Sequence, residues 1–258
     1  MDIIGKVYKD YFCDIKELDG NSHLLNNFNY GGFLNLLENW EFFEKQFYNI
    51  NFKFFVITDS INLKGVNLNI NTNILLIKEK CPKALIFDLN NQRTSFIIDD
   101  IAIKIPHFKK ESEEAIVFYG DKLIPSDLLN YKKIIIDTAG NNYSDLVSLA
   151  EYKYPDNSII SISNELLTDE LIDLYSLKRG FLILSHSPKK TEIISNGISN
   201  SIINEYYLPP NQTLNKVKAT GLGDKFIFLI ACNHFYLNYD LIQSIKISQK
   251  MLSNIIFR

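Results

Sequence analysis

Short, mostly apolar runs recur along the chain at 54–58, 74–77, 84–87, 115–119, 134–137, 158–162 and 181–185, each bounded by polar residues. Unbroken runs of this length, without alternation, are the pattern of strands covered on both faces. Between several of them apolar residues return at helical spacing, over 32–46, 144–152 and 168–178. A strand-then-helix rhythm predicts an α/β chain with a mostly parallel sheet and helices on both of its faces. Two stretches break the rhythm: 11–29, and 88–105, where Asn90 and Asn91 mark a hairpin turn between alternating strands. They read either as a small β lid or as a surface hairpin packed on the core. The last third predicts one helix over about 223–236 and another over 240–256, with Asp240 as the cap of the second. No repeat and no long Pro/Gly-rich hinge divides the 258 residues, so a single domain spanning 1–258 is expected.

Composition narrows the classes of partner. The hydrophobic fraction of 46% and charged fraction of 22% are those of a globular chain. A formal charge of −3 provides no net positive field for a nucleic acid backbone or an anionic membrane, so a small-molecule partner is expected. The pairs Lys109 with Lys110, Lys132 with Lys133 and Lys189 with Lys190 read as solvated surface. Cys13, Cys81 and Cys232 are odd in number, far apart and form no CxxC pair, which points away from disulfides and structural zinc and towards a reducing cytosol. Neither a signal-peptide pattern nor a run of membrane-spanning length occurs, so a cytoplasmic location is expected. The four histidines have no metal-ligand spacing.

The chemistry concentrates in 218–233, KATGLGDKFIFLIACN, where two glycines and an aspartate directly precede an apolar helix. Glycines let the backbone approach a phosphate closely, while free N–H groups and the positive end of the helix dipole favour negative charge there. Charge developing during phosphoryl transfer would be stabilised at that point. Asp224, in the first turn, would lie beside this anion hole and could orient an incoming hydroxyl and accept its proton. A carboxylate is base enough, because the transition state is loose and positioning dominates. Taken alone, the same residues also read as a loop with Asp224 or Thr220 capping a helix.

TGLGDKF resembles the C-terminal signature of the ribokinase-like (PfkB) carbohydrate kinases, usually DTTGAGDAF. That resemblance makes Asp224 the base and assigns the anion hole to Gly221, Leu222 and Gly223. Further segments follow in the family's order. IIGKVYKDYF at 3–12 resembles a first strand often written GDVMLDRY, so Asp10 matches the sugar-binding aspartate, able to accept two hydroxyl hydrogen bonds. That start leans towards the branch containing heptose phosphate kinases. YGGFLN at 30–35 resembles the GGxxxN segment, with Gly31, Gly32 and Asn35 at the sugar; with Asn35 held in register, Tyr30 replaces the first glycine and Gly31 is the second. ALIFDLNNQRTSF at 84–96 resembles the lid hairpin that often reads DGERTF, and brings Arg93 towards the substrate as a bidentate phosphate ligand.

Three departures accompany these matches. Lys218 stands where the signature has its first aspartate, a residue linked to a bound monovalent cation; its ammonium would replace that ion and make activity independent of potassium. SHSPKKT at 185–191 lies where the family has a glycine-bearing nucleotide loop, leaving Ser185, Ser187 and Lys189 as the groups to meet a phosphate. Asn164, in SISNELL, matches the segment that organises magnesium through water, with Leu167 at the usual glutamate position and Glu165 as a substitute after a register shift. The resemblance therefore implies a three-layer ribokinase-like sandwich with a β lid, and a kinase using ATP and Mg2+ to phosphorylate a hydroxyl of a sugar or sugar phosphate. It also implies a homodimer formed through the lid. A ribokinase-like binding or regulatory protein that has lost turnover, and a nucleoside kinase of the same fold, stand as alternatives.

Overall fold

The computed structural model describes residues 1–13, 29–32, 34–37, 40–58, 73–78, 81, 83–89, 92–99, 110, 112–118, 130–138, 143–151, 154–155, 158–163, 166–176, 181–186, 190–195, 198–203 and 221–256. Strands β1 (Asp2–Cys13), β3 (Lys53–Thr58), β4 (Asn73–Lys78), β7 (Glu114–Phe118), β8 (Lys133–Asp137), β9 (Ser158–Ser163) and β10 (Phe181–His186) run parallel. Their spatial order is β10-β9-β8-β7-β1-β3-β4. From β1 the chain moves outward to β3 and β4, then returns to lay β7 on the other side of β1. The order thus reverses between β1 and β7, and in open α/β sheets the crevice beyond the carboxyl ends of the strands at such a reversal is where ligands bind.

Consecutive strand residues face opposite layers. Ile3, Phe54, Val56, Ile116 and Ile135 meet α1 (Leu34–Leu37), α2 (Trp40–Gln46), α5 (Leu222–Ala231) and α6 (Leu241–Ile256) in one core. Ile4, Phe55, Ile57, Val117, Ile134 and Ile136 meet α3 (Tyr143–Ala150) and α4 (Asp169–Ser176) in the other. Both sheet faces are therefore dry, which is why the strands read as unbroken apolar runs. Helix α5 continues into a π-helical turn, Cys232–Tyr236. As expected, Asp240 caps α6: its Oδ1 accepts from the amide of Gln243 at 2.8 Å.

A second, smaller sheet forms the lid. β1 outruns the central sheet, and its later residues pair antiparallel with β2 (Asn29–Gly32) and parallel with β5 (Lys83–Leu89). β5 in turn pairs antiparallel with β6 (Gln92–Asp99), Leu89 opposite Gln92, while Asn90 and Asn91, read above as the turn, lie outside the described residues. The run at 84–87, read above in the series of core strands, belongs instead to this lid. Length and composition alone do not distinguish such a run from a core strand.

Two other expectations change. The helix over 32–46 is described as α1 and α2. Beyond β10 the sheet is extended by an antiparallel pair that periodicity did not reveal, β11 (Lys190–Ser195) and β12 (Ile198–Ile203).

Candidate active site

Helix α5 runs antiparallel to the strands. At its far end the Lys133 Nζ, from the first residue of β8, donates to the carbonyl of Phe235 at 3.1 Å, and the Tyr236 hydroxyl donates to the carbonyl of Asn49 at 2.7 Å. Its N-terminus therefore lies at the carboxyl end of the sheet, beside the lid. Gly221 caps it in the left-handed region (φ 70°, ψ 13°) with no side-chain hydrogen bond at the cap. The first helical hydrogen bond of α5 runs from Lys225 N to Gly221 O at 3.1 Å. The amides of Leu222, Gly223 and Asp224 thus precede the helical ladder, where backbone donors have no acceptor within the helix.

Gly221 cannot be another residue here. A Cβ on it would collide with the Cβ of Asn35 and lie 3.0 Å from its Cγ, and its φ is one that side chains disfavour. Asn35 itself is buried (8% exposed) in α1, which follows β2. Gly32 closes β2 at φ 65°, turning the chain into α1. The fold thereby joins two segments almost two hundred residues apart: the backbone loop ahead of Asp224 presses directly on Asn35. Asp224 is buried at 5% exposure, Gly221 and Leu222 are half-buried, and Gly223 is exposed.

The remaining residues that the resemblance assigns to the acceptor sit on the lid sheet. Asp10 of β1 pairs with Asn29 of β2 on one side and Ala84 of β5 on the other; Gly31 and Gly32 pair with Tyr8 and Val7. Arg93 lies on β6 as the partner of Asp88. Ser185 is in β10, paired with Ile162 of β9 and Glu192 of β11. Asn164, Glu165, Ser187, Lys189, Lys218 and Thr220 fall outside the described residues, as does most of the segment 11–29. Lys190 begins β11 and pairs with Glu192 at 2.7 Å. Among the described residues no cluster of three or more His, Cys, Asp or Glu could hold a metal ion.

Four buried charged residues at this end of the sheet were not singled out by sequence reasoning: Lys6, Asp137, Asp145 and Lys225, all under 5% exposed. Lys6 is where β1 leaves the central sheet, Asp137 is the last residue of β8, and Asp145 is in the first turn of α3, which follows. Lys225 is the neighbour of Asp224. A charged residue closing an otherwise apolar strand, as in the run KIIID, was the available signal.

No family model matches the chain, and no curated protein does. Solved structures do match over nearly the full length. A pyrophosphate-dependent kinase of the ribokinase family, complexed with a pyrophosphate analog and myo-inositol, is 14% identical at a TM-score of 0.65, covering 99% of this chain and 94% of that one. A sugar kinase of Pyrococcus horikoshii is 15% identical at 0.64, covering 98% and 90%. Ribokinase of Giardia lamblia is 11% identical at 0.64, covering 100% and 92%. Mostly parallel central sheet, helical layers on both faces and small β lid are thus shared with these kinases from end to end, and the chain has the ribokinase fold.

Proposed function

We propose that this single-domain chain is a carbohydrate kinase that transfers a phosphoryl group to a hydroxyl of a sugar or sugar phosphate. The observation that carries the reading is a buried Asp224 in the first turn of α5, next to the left-handed Gly221 cap that packs on Asn35. The acceptor oxygen attacks the terminal phosphorus of the donor, the bond from that phosphorus to its bridging oxygen breaks, and the hydroxyl proton passes to Asp224. Amides of the Gly221–Leu222–Gly223 loop hold the phosphoryl oxygens as charge builds on them. Asp10, Gly31, Gly32 and Asn35 position the acceptor, with Arg93 reaching it from the lid. Heptose phosphates are the acceptors to test first.

The donor we assign is ATP, met by Ser185, Ser187 and Lys189. Magnesium, when bound, neutralises the donor phosphates and is held by them and by water, with Asn164 and Glu165 contributing through that water. The sugar kinase of Pyrococcus horikoshii has been solved in complex with ATP, in support of this donor. Three of the similar structures are instead of pyrophosphate-dependent kinases, which makes pyrophosphate the competing donor. The lid sheet is the surface we assign to a homodimer.

A turnover screen of free and phosphorylated sugars, nucleosides and inositols, with magnesium ATP and with magnesium pyrophosphate, tests the reading. A productive pair is expected, and Asp224→Asn should lower its kcat by about 10²- to 10⁴-fold while leaving the melting temperature unchanged. A variant as fast as its parent would remove Asp224 as base. Acceptors that shift the melting temperature without turnover would favour a binding protein.

A further inference from the structure

The lysine that follows the base is out of place for a structural residue. Lys225 is 4% exposed in the first turn of α5, so its charge is both taken out of water and set against the positive end of the helix dipole. The kinase signature quoted above has alanine at this position, so the fold does not require a cation there.

Helical periodicity shows where Lys225 faces. Lys225, Leu229 and Cys232 recur at i, i+4 and i+7, one stripe of the helix. The Cys232 end of that stripe lies over the starts of the strands: Cys232 is fully buried in the core that holds Met1 and Ile3, and Lys133, at the start of β8, donates to the carbonyl of Phe235 just beyond it. Two turns earlier, about 10 Å nearer the helix start, the same stripe faces the carboxyl end of the sheet. There β8 ends in Asp137, buried, and on the same sheet face as Ile135, which packs in the core under α5. Two buried carboxylates, Asp137 and Asp224, therefore lie at the end of the sheet where α5 begins; Lys6, the other buried cation at this end, alternates onto the opposite sheet face with Ile4, which leaves Lys225 as the described cation on the face of Asp137.

We infer that Lys225 is a positioning residue for the phosphoryl donor: its ammonium offsets the two carboxylates so that a polyphosphate can seat against the anion hole. This rests on the kinase reading above. Lys225 forms and breaks no bond in the transfer. Its contribution is electrostatic, and it acts on the donor and not on the acceptor.

The test compares Lys225→Ala, the residue of the signature, and the near-isosteric Lys225→Met with Lys225→Arg, each checked for an unchanged fold by circular dichroism. Calorimetric titration with magnesium ATP and with magnesium pyrophosphate reads donor affinity independently of turnover. Alanine and methionine are expected to weaken the donor by about 10- to 100-fold, the range for losing one charge-assisted contact. The acceptor KM should stay within about twofold, and arginine should recover most of the loss. Donor affinity unchanged in Lys225→Ala, or donor and acceptor weakened equally, would overturn the assignment, as would failure of the parent to bind either donor. If the parent binds a donor but phosphorylates nothing, and Lys225→Met still loses that donor, the kinase reading fails while the role of Lys225 stands.

Discussion

At the scale of single residues, the site depends on close contact at Gly221. Its left-handed backbone and its approach to Asn35 exclude a side chain for two separate reasons, one conformational and one steric. Gly221→Ala is expected to lower stability by about 1–3 kcal/mol through backbone strain alone, with the clash in addition. Urea unfolding of Gly221→Ala, Asn35→Gly and the double variant separates the two, because the double variant should recover the steric part and leave the conformational part. A fully additive cycle would mean that Asn35 does not press on the loop. How much of this was legible in the sequence differs by residue. Gly221 and Asp224 stand in a pattern whose physics is local: small residues, a carboxylate, the start of a helix. Asp137 carried a signal, a charge closing an apolar strand, whereas Lys225 was not legible, because nothing local separates a buried lysine in an apolar helix from a solvated one. Only the packing of α5 on the sheet does so.

At the scale of elements, aromatic packing along α5 adds to the contacts at its two ends in holding the helix in place. Phe228 touches Phe43 with ring centroids 4.8 Å apart, Phe52 at 5.5 Å and Trp40 at 5.7 Å. Trp40 in turn stands edge-on to Phe54 at 4.7 Å. This cluster ties the helix that carries Asp224 to α2 and β3. Phe228→Ala should destabilise the protein by about 3–5 kcal/mol in chemical denaturation, the cost of deleting a fully buried ring; a change below about 1 kcal/mol would show that the cluster does not anchor α5. The strands of the parallel sheet were legible because burial on both faces leaves a continuous apolar run. The β11–β12 hairpin was not, although Asn196 and Gly197 between its strands are the dipeptide that favours a tight hairpin turn. Its strands mix serine, asparagine and glutamate with isoleucine, and Ile198 is 66% exposed, so little apolar contrast marks them.

Over the whole molecule, two buried groups in different layers make stability sensitive to alkali. Burial raises the Cys232 thiol well above its ordinary value of 9.0 in the layer of α5, and raises the phenol of Tyr175, in α4, above its ordinary 10.0. The Tyr175 hydroxyl also donates to the carbonyl of Leu146 at 2.7 Å. In both cases the folded state holds its proton more tightly than the unfolded chain. Stability should therefore be flat below pH 9 with respect to these groups and fall progressively above it as the unfolded chain ionises. Denaturant midpoints measured between pH 8 and 11 check this. Replacing Cys232 with serine and Tyr175 with phenylalanine should flatten the decline, and an unaltered slope would locate the sensitivity elsewhere.

β1 belongs to both sheets. Its first residues pair with β3 and β7, and the later ones with β2 and β5, without a break in the strand. The lid is thus not hung on a hinge at this point but grows out of a strand of the central sheet. Any swing of that lid must be taken up as torsion along β1, so its movement is felt directly by a strand that runs through the core of the central sheet.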